Sequence, residues 1–222
     1  MTTAAEPIAQ RGSARPPAQT FGAETSLDDA STRLRRYRLG FALYFCSVVM
    51  IFAGFSSAYI VRRGIPVFDA AVGGYSASWE PLRIPIFLLL LNTICLCAAS
   101  ATMELARRRS HRLVRFETAD RRWIVLSLAL CLVFVAGQAV AWRILTAGGQ
   151  VLTSGARTAF FYVLTGTHAV HAILGIAALA WITIQSTAST RSRHLIAVDL
   201  TAWYLHGMTL LWIYLFLFLL FA

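Results

Sequence analysis

Residues 160–181 read FFYVLTGTHAVHAILGIAALAW, an apolar stretch of membrane length that carries two histidines, His168 and His171, three positions apart. Crossing a hydrocarbon core of about 30 Å takes roughly 20 residues of helix, and an ionisable group inside such a span is costly enough to mark a functional position. Three residues advance a helix by roughly 300°, so the two imidazoles share one face.

Working outward, four further apolar stretches reach membrane length, and the five expected spans are 39–61, 84–106, 123–142, 158–185 and 200–221. The mean hydropathy of +0.64 fits them. Only 14% of the residues are charged, against about 25% in a soluble domain. A membrane barrel would alternate polar and apolar residues, and that pattern is missing. The fold class is therefore all-α, an integral membrane bundle of five transmembrane helices. Residues 1–32, rich in Ala, Pro, Ser and Thr, read as a disordered tail, and 33–222 as one transmembrane domain. The tail has no apolar run of the kind a secretory signal needs.

All twenty basic residues are arginine, and they alternate in density along the chain. Fifteen fall in the N-terminal segment, the second loop and the fourth loop, and five in the first and third loops. By the positive-inside rule the N terminus is cytoplasmic and the C terminus outside. The net charge of +10 is thus topological, and nucleic acid is not an expected partner. The first loop, with Gly64, Pro66, Gly73, Gly74, Pro81 and an interfacial anchor at Trp79, reads as irregular. The cysteines Cys46, Cys95, Cys97 and Cys131 all fall in spans and read as packing residues; Cys95 and Cys97 point to different sides of their helix.

Several motifs gather in chain order. The first span holds Met50, Phe52, Ala53, Gly54, Ser57, Ala58, Tyr59 and Val61, followed by Arg63, with a small face at Gly54 and Ala58 suited to close helix packing. The second holds Leu91, Asn92, Thr93, Ser100, Thr102 and Glu104 ahead of Arg107 and Arg108. Glu104 is the only carboxylate in the five expected spans, and reads as a snorkelling ion pair rather than a proton relay. The third span holds Gln138, the fourth Phe160, Phe161, Leu164, Thr165, Gly166, His168 and His171, and the fifth Tyr204, His206 and Trp212.

These motifs resemble those of subunit III of the haem-copper oxidases, in its five-helix bacterial form, over about residues 40–220. The resemblance implies an accessory subunit of a respiratory terminal oxidase in a bacterial plasma membrane. Its partners would be the catalytic subunit I, subunit II and structural phospholipid. It implies no cofactor in this chain, haem and copper being expected in the partner subunits. A subunit III-like helper of nitric oxide reductase, or an oxidase assembly protein, is the alternative. An independent channel or transporter is disfavoured by the lack of interrupted helices. The chain departs from the family pattern where relatives often place acids: Val48, Ala141 and Thr209 stand there.

For the histidines, metal or haem ligation, proton relay and neutral hydrogen bonding all compete. Ligation would need a further partner, with only His206 available inside a span, and a relay needs titratable neighbours in series. Neutral hydrogen bonding is the favoured reading. No catalytic, cofactor-binding or metal-ligating residue is assigned. The expected structural cluster, or lipid and subunit contact, is His168, His171, His206 and Gln138, with Asn92 and Glu104 as further polar members.

Overall fold

The computed structural model describes residues 20–69, 73–76, 85–112, 118–185 and 191–221. Five helices dominate: α1 (Thr20–Gly64), α2 (Ile86–Arg112), α3 (Thr118–Ala147), α4 (Ala156–Gln185) and α5 (Arg191–Phe221). Each contains a segment long and apolar enough to cross a membrane. The five expected spans are all present, and most of the helices run on beyond them into polar sequence. The extension matters most for α5, which starts at Arg191 rather than 200 and so takes in Asp199. Helix α1 begins at Thr20, ahead of the expected end of the tail; residues 1–19 and the Trp79 anchor lie outside the described residues.

The chain divides into two units, Met1–Gly40 and Phe41–Ala222. Of the first, the described part is the opening stretch of α1. The second is the bundle. There α2 packs on α3 and α5, and α4 packs on α3 and α5, so these four helices close a ring. The part of α1 from Phe41 onward lies outside that ring, against α4 and α5. Tyr44 stacks near Tyr204, Tyr59 meets Phe160 and Phe218 edge-on, and the Tyr214 hydroxyl donates to Ser56 Oγ at 3.0 Å.

Where the sequence suggests an irregular first loop, two short antiparallel strands form, β1 (Val67–Asp69) and β2 (Gly74–Ser76). Between α3 and α4 the chain turns tightly. Gly149 takes φ of 79°, Gln150 N–H donates to Leu145 O, and Gly149 N–H donates to Thr146 O. This is a Schellman stop, which needs a left-handed residue just past the helix, and glycine adopts it without strain. The short turn makes α3 and α4 antiparallel neighbours and brings Trp142 to Thr165, whose hydroxyl accepts from the indole N–H at 3.1 Å.

The small face of α1 lies on the opposite side from Ser56. Gly54 and Ala58 are exposed, and a Cβ on Gly54 would meet open space. That face therefore meets no helix of this chain among the described residues, although small residues in a membrane helix ordinarily mark close helix contact.

Candidate functional site

The polar side chains inside the bundle fall into two environments. The first follows from spacing on two antiparallel helices. On α2, Ser100, Glu104, Arg107 and His111 recur at helical intervals and share a face; on α5, Asp199 and His206 lie seven residues apart, about two turns. Packing α2 on α5 brings the two rows together. Arg107 clasps Glu104 through two hydrogen bonds, Nε to Oε2 at 2.7 Å and Nη2 to Oε1 at 2.8 Å. Arg108 Nε adds a third at 2.7 Å. From α5, His206 places Nε2 3.3 Å from Glu104 Oε2 and Nδ1 against the Ser100 hydroxyl. A neutral ring with the proton on Nε2 satisfies both contacts, donating to Glu104 and accepting from Ser100. Asp199 extends the cluster, with Arg107 Nη1 at 3.6 Å and His111 Nε2 at 2.8 Å.

The second environment surrounds His168, which is 1% exposed. Its ring is walled by Phe52 of α1, Phe134 of α3 and Trp212 of α5, with centroids 6.5, 5.9 and 5.0 Å away. Trp212 is itself fixed. Its indole N–H donates to Thr93 Oγ1 at 3.0 Å, and the Thr93 hydroxyl donates in turn to Leu89 O. Neither ring nitrogen of His168 has a hydrogen-bond partner among the described residues. Leaving such a buried group unpaired costs about 1–3 kcal/mol.

His171, one turn on, behaves differently. Its Nδ1 donates to Thr167 O at 2.7 Å, and its own carbonyl accepts from the Tyr204 hydroxyl at 2.6 Å, tying α4 to α5. Gln138 is buried with both amide atoms unpartnered, and Asn92 is buried with its Nδ2 unpartnered. Asn92 lies against Gly137, where a Cβ would overlap its amide, so glycine is what lets α2 and α3 approach here.

The six sequence-derived residues are therefore not one hydrogen-bonded group. Glu104 and His206 meet directly. His168 has aromatic neighbours, His171 has backbone partners, and Gln138 Nε2, Gln138 Oε1 and Asn92 Nδ2 have no hydrogen-bond partner among the described residues. The sequence reading missed Asp199 and His111. Starting the apolar span at residue 200 left Asp199 one position outside; its two-turn spacing from His206 was the available signal. Among the described residues no three His, Cys, Asp or Glu side chains come together as a metal-ligand set. Val48, Ala141 and Thr209 are all buried, and the Thr209 hydroxyl donates back to Leu205 O at 2.8 Å. A carboxylate at any of them would lie inside the bundle and would need a partner there.

The family model described as cytochrome c oxidase subunit III matches residues 23–222, which takes in the spanning segments of all five helices and both polar environments. The chain belongs to the cytochrome c oxidase subunit III family. Among its relatives is the "Cytochrome c oxidase subunit 3" of Lachancea kluyveri, 30% identical over 202 residues, covering 87% of this chain and 70% of the relative. The protein of that name from Candida parapsilosis is 29% identical over 201 residues, again 87% and 70%. A bacterial relative, the "Probable cytochrome c oxidase subunit 3" of Mycobacterium leprae, is 28% identical over 194 residues and is covered over 91% of its length, against 86% of this chain. The subunit III resemblance read from the motifs is thus the family of the whole chain, and its five apolar helices fit a membrane respiratory complex.

Proposed function

We propose that this chain is the cofactor-free accessory subunit of a haem-copper terminal oxidase in a bacterial plasma membrane, with its N terminus cytoplasmic and its C terminus outside. It sits beside the catalytic subunit I, in a complex that also holds subunit II, and carries bound phospholipid. The carrying observation is the family match across residues 23–222. The exposed small face of α1 at Gly54 and Ala58 supports a helix of another subunit as its neighbour, because none of the described residues covers it. In this reading the chain's polar residues hold its own helices in register, and haem and copper chemistry belongs to the partner.

The test is purification of the chain from membranes in mild detergent, with a haem spectrum and oxygen-consumption assay of what accompanies it. A copurifying haem-copper protein that reduces oxygen is the expected result, and His168→Leu or His171→Leu should lower the retained chain or the turnover. Isolation without a haem partner, or with a partner that reduces only nitric oxide, would overturn the assignment.

A further inference from the structure

A small cavity of about 10 Å³, measured as room for the centre of a water molecule, lies between α2, α3, α4 and α5. His168, Phe134, Cys131, Tyr204, Ala172 and Met208 are among its walls. Most of this lining is apolar, and His168 is the exception that matters. It is 1% exposed, and both of its ring nitrogens are unpartnered among the described residues. A neutral imidazole offers one donor and one acceptor, and a buried polar group of this kind is nearly always paired in a folded protein. Tyr204 also lines the cavity, and its hydroxyl proton goes to His171 O. The Cys131 thiol supplies a weak donor or acceptor.

We propose that this cavity is a binding site for a single internal water molecule, held by the His168 ring with the Cys131 thiol as its second partner. The volume matches one water and no larger ligand, since a water needs about 10–15 Å³ of such space. The water is then what makes a histidine tolerable at this point of a membrane bundle. It also adds a polar link between α3 and α4 at the depth of His168.

Two buried methionines provide the test. Met208 lines the cavity, whereas Met103 is buried in the apolar core beside Ala99 and Ala106. Hydroxyl radicals made by a brief X-ray pulse act close to the water they come from, so a trapped water oxidises its immediate neighbours. In the complex as purified in detergent, mass spectrometry should find Met208 converted to the sulfoxide several-fold more than Met103. Ala172→Leu, which fills the cavity, and His168→Phe, which removes the anchor, should each bring Met208 down to the level of Met103. Met208 as protected as Met103 in the native protein would overturn the proposal. So would Met208 oxidation that persists undiminished in the variants. If neither variant assembles, the native ratio of Met208 to Met103 decides alone.

Discussion

His206 and His168 are the same side chain on two neighbouring membrane-length helices, and they are stabilised in opposite ways. His206 lies across Ser100 and Glu104 on the α2 face, one ring nitrogen toward each, in a cluster that two arginines and Asp199 extend. His168 is enclosed by aromatic rings from three other helices, and none of them offers its nitrogens a hydrogen bond. The difference follows from where charge can be tolerated. A carboxylate in a spanning helix needs long basic side chains within reach, which Arg107 and Arg108 provide one turn beyond Glu104. A neutral imidazole can go deeper, because burying it costs far less than burying an ion. One region is therefore held by directional ionic contacts between α2 and α5, and the other by shape.

If that contrast is right, the largest single loss should come from the packed region. Trp212 is 1% exposed, faces His168 and Phe134, and is pinned to Thr93. Truncating a buried Trp or Phe to Ala costs about 3–5 kcal/mol in soluble cores, and in lipid the packing share of that remains although the transfer share shrinks. Trp212→Ala is expected to cost about 2–4 kcal/mol in a reversible mixed-micelle unfolding titration, with no dependence on salt. A loss smaller than that of removing Glu104 would break the comparison.

The sequence carried the packed region well and the ionic one only in part. Hydropathy alone locates five spans, because backbone satisfaction in hydrocarbon leaves little but helices. The positions of His168, Gln138 and Trp212 were visible as polar or large residues in those spans. What surrounds them was not, since the wall of His168 comes from α1, α3 and α5 at once and depends on how the ring of helices closes. Asp199 was hidden for a different reason. Hydropathy marks where a helix turns apolar and not where it starts, and α5 begins at Arg191, well before its apolar run. The family motifs pointed to His206 as important but could not pair it with Glu104, because the two are 102 residues apart and meet only when α2 packs on α5.

The ionic region should give the intermediate effect. Glu104→Ala leaves Arg107, Arg108 and His206 without their shared acceptor, and the expected cost is about 1–3 kcal/mol. Glu104→Gln keeps an acceptor oxygen but loses the charge and should fall below that. The signature that separates this region from the aromatic one is ionic strength. Exposed and half-exposed charge pairs weaken as salt screens them. The gap between the native protein and Glu104→Ala should therefore narrow from low to high salt, while the gap for Trp212→Ala stays constant. A Glu104→Ala penalty independent of salt would mean that the carboxylate acts through packing.

The smallest effect sharpens the comparison at its edge. His111 is exposed and reaches Asp199 at 2.8 Å, whereas Arg107 reaches the same carboxylate at 3.6 Å from a more buried position. Exposed pairs contribute about 0.2–1 kcal/mol, so His111→Ala should sit at or below the lower half of that range. Asp199→Asn should cost more than His111→Ala, because it also removes the charge that Arg107 shares between Asp199 and Glu104. A double-mutant cycle between positions 111 and 199 isolates the pair, and a second between 107 and 199 isolates the inner contact. Coupling greater at 107 than at 111 is expected if the network tightens toward the bundle interior. Equal coupling at both would mean that Asp199 merely caps the exposed end of α2, and that the α2–α5 contact rests on Glu104 and His206 alone.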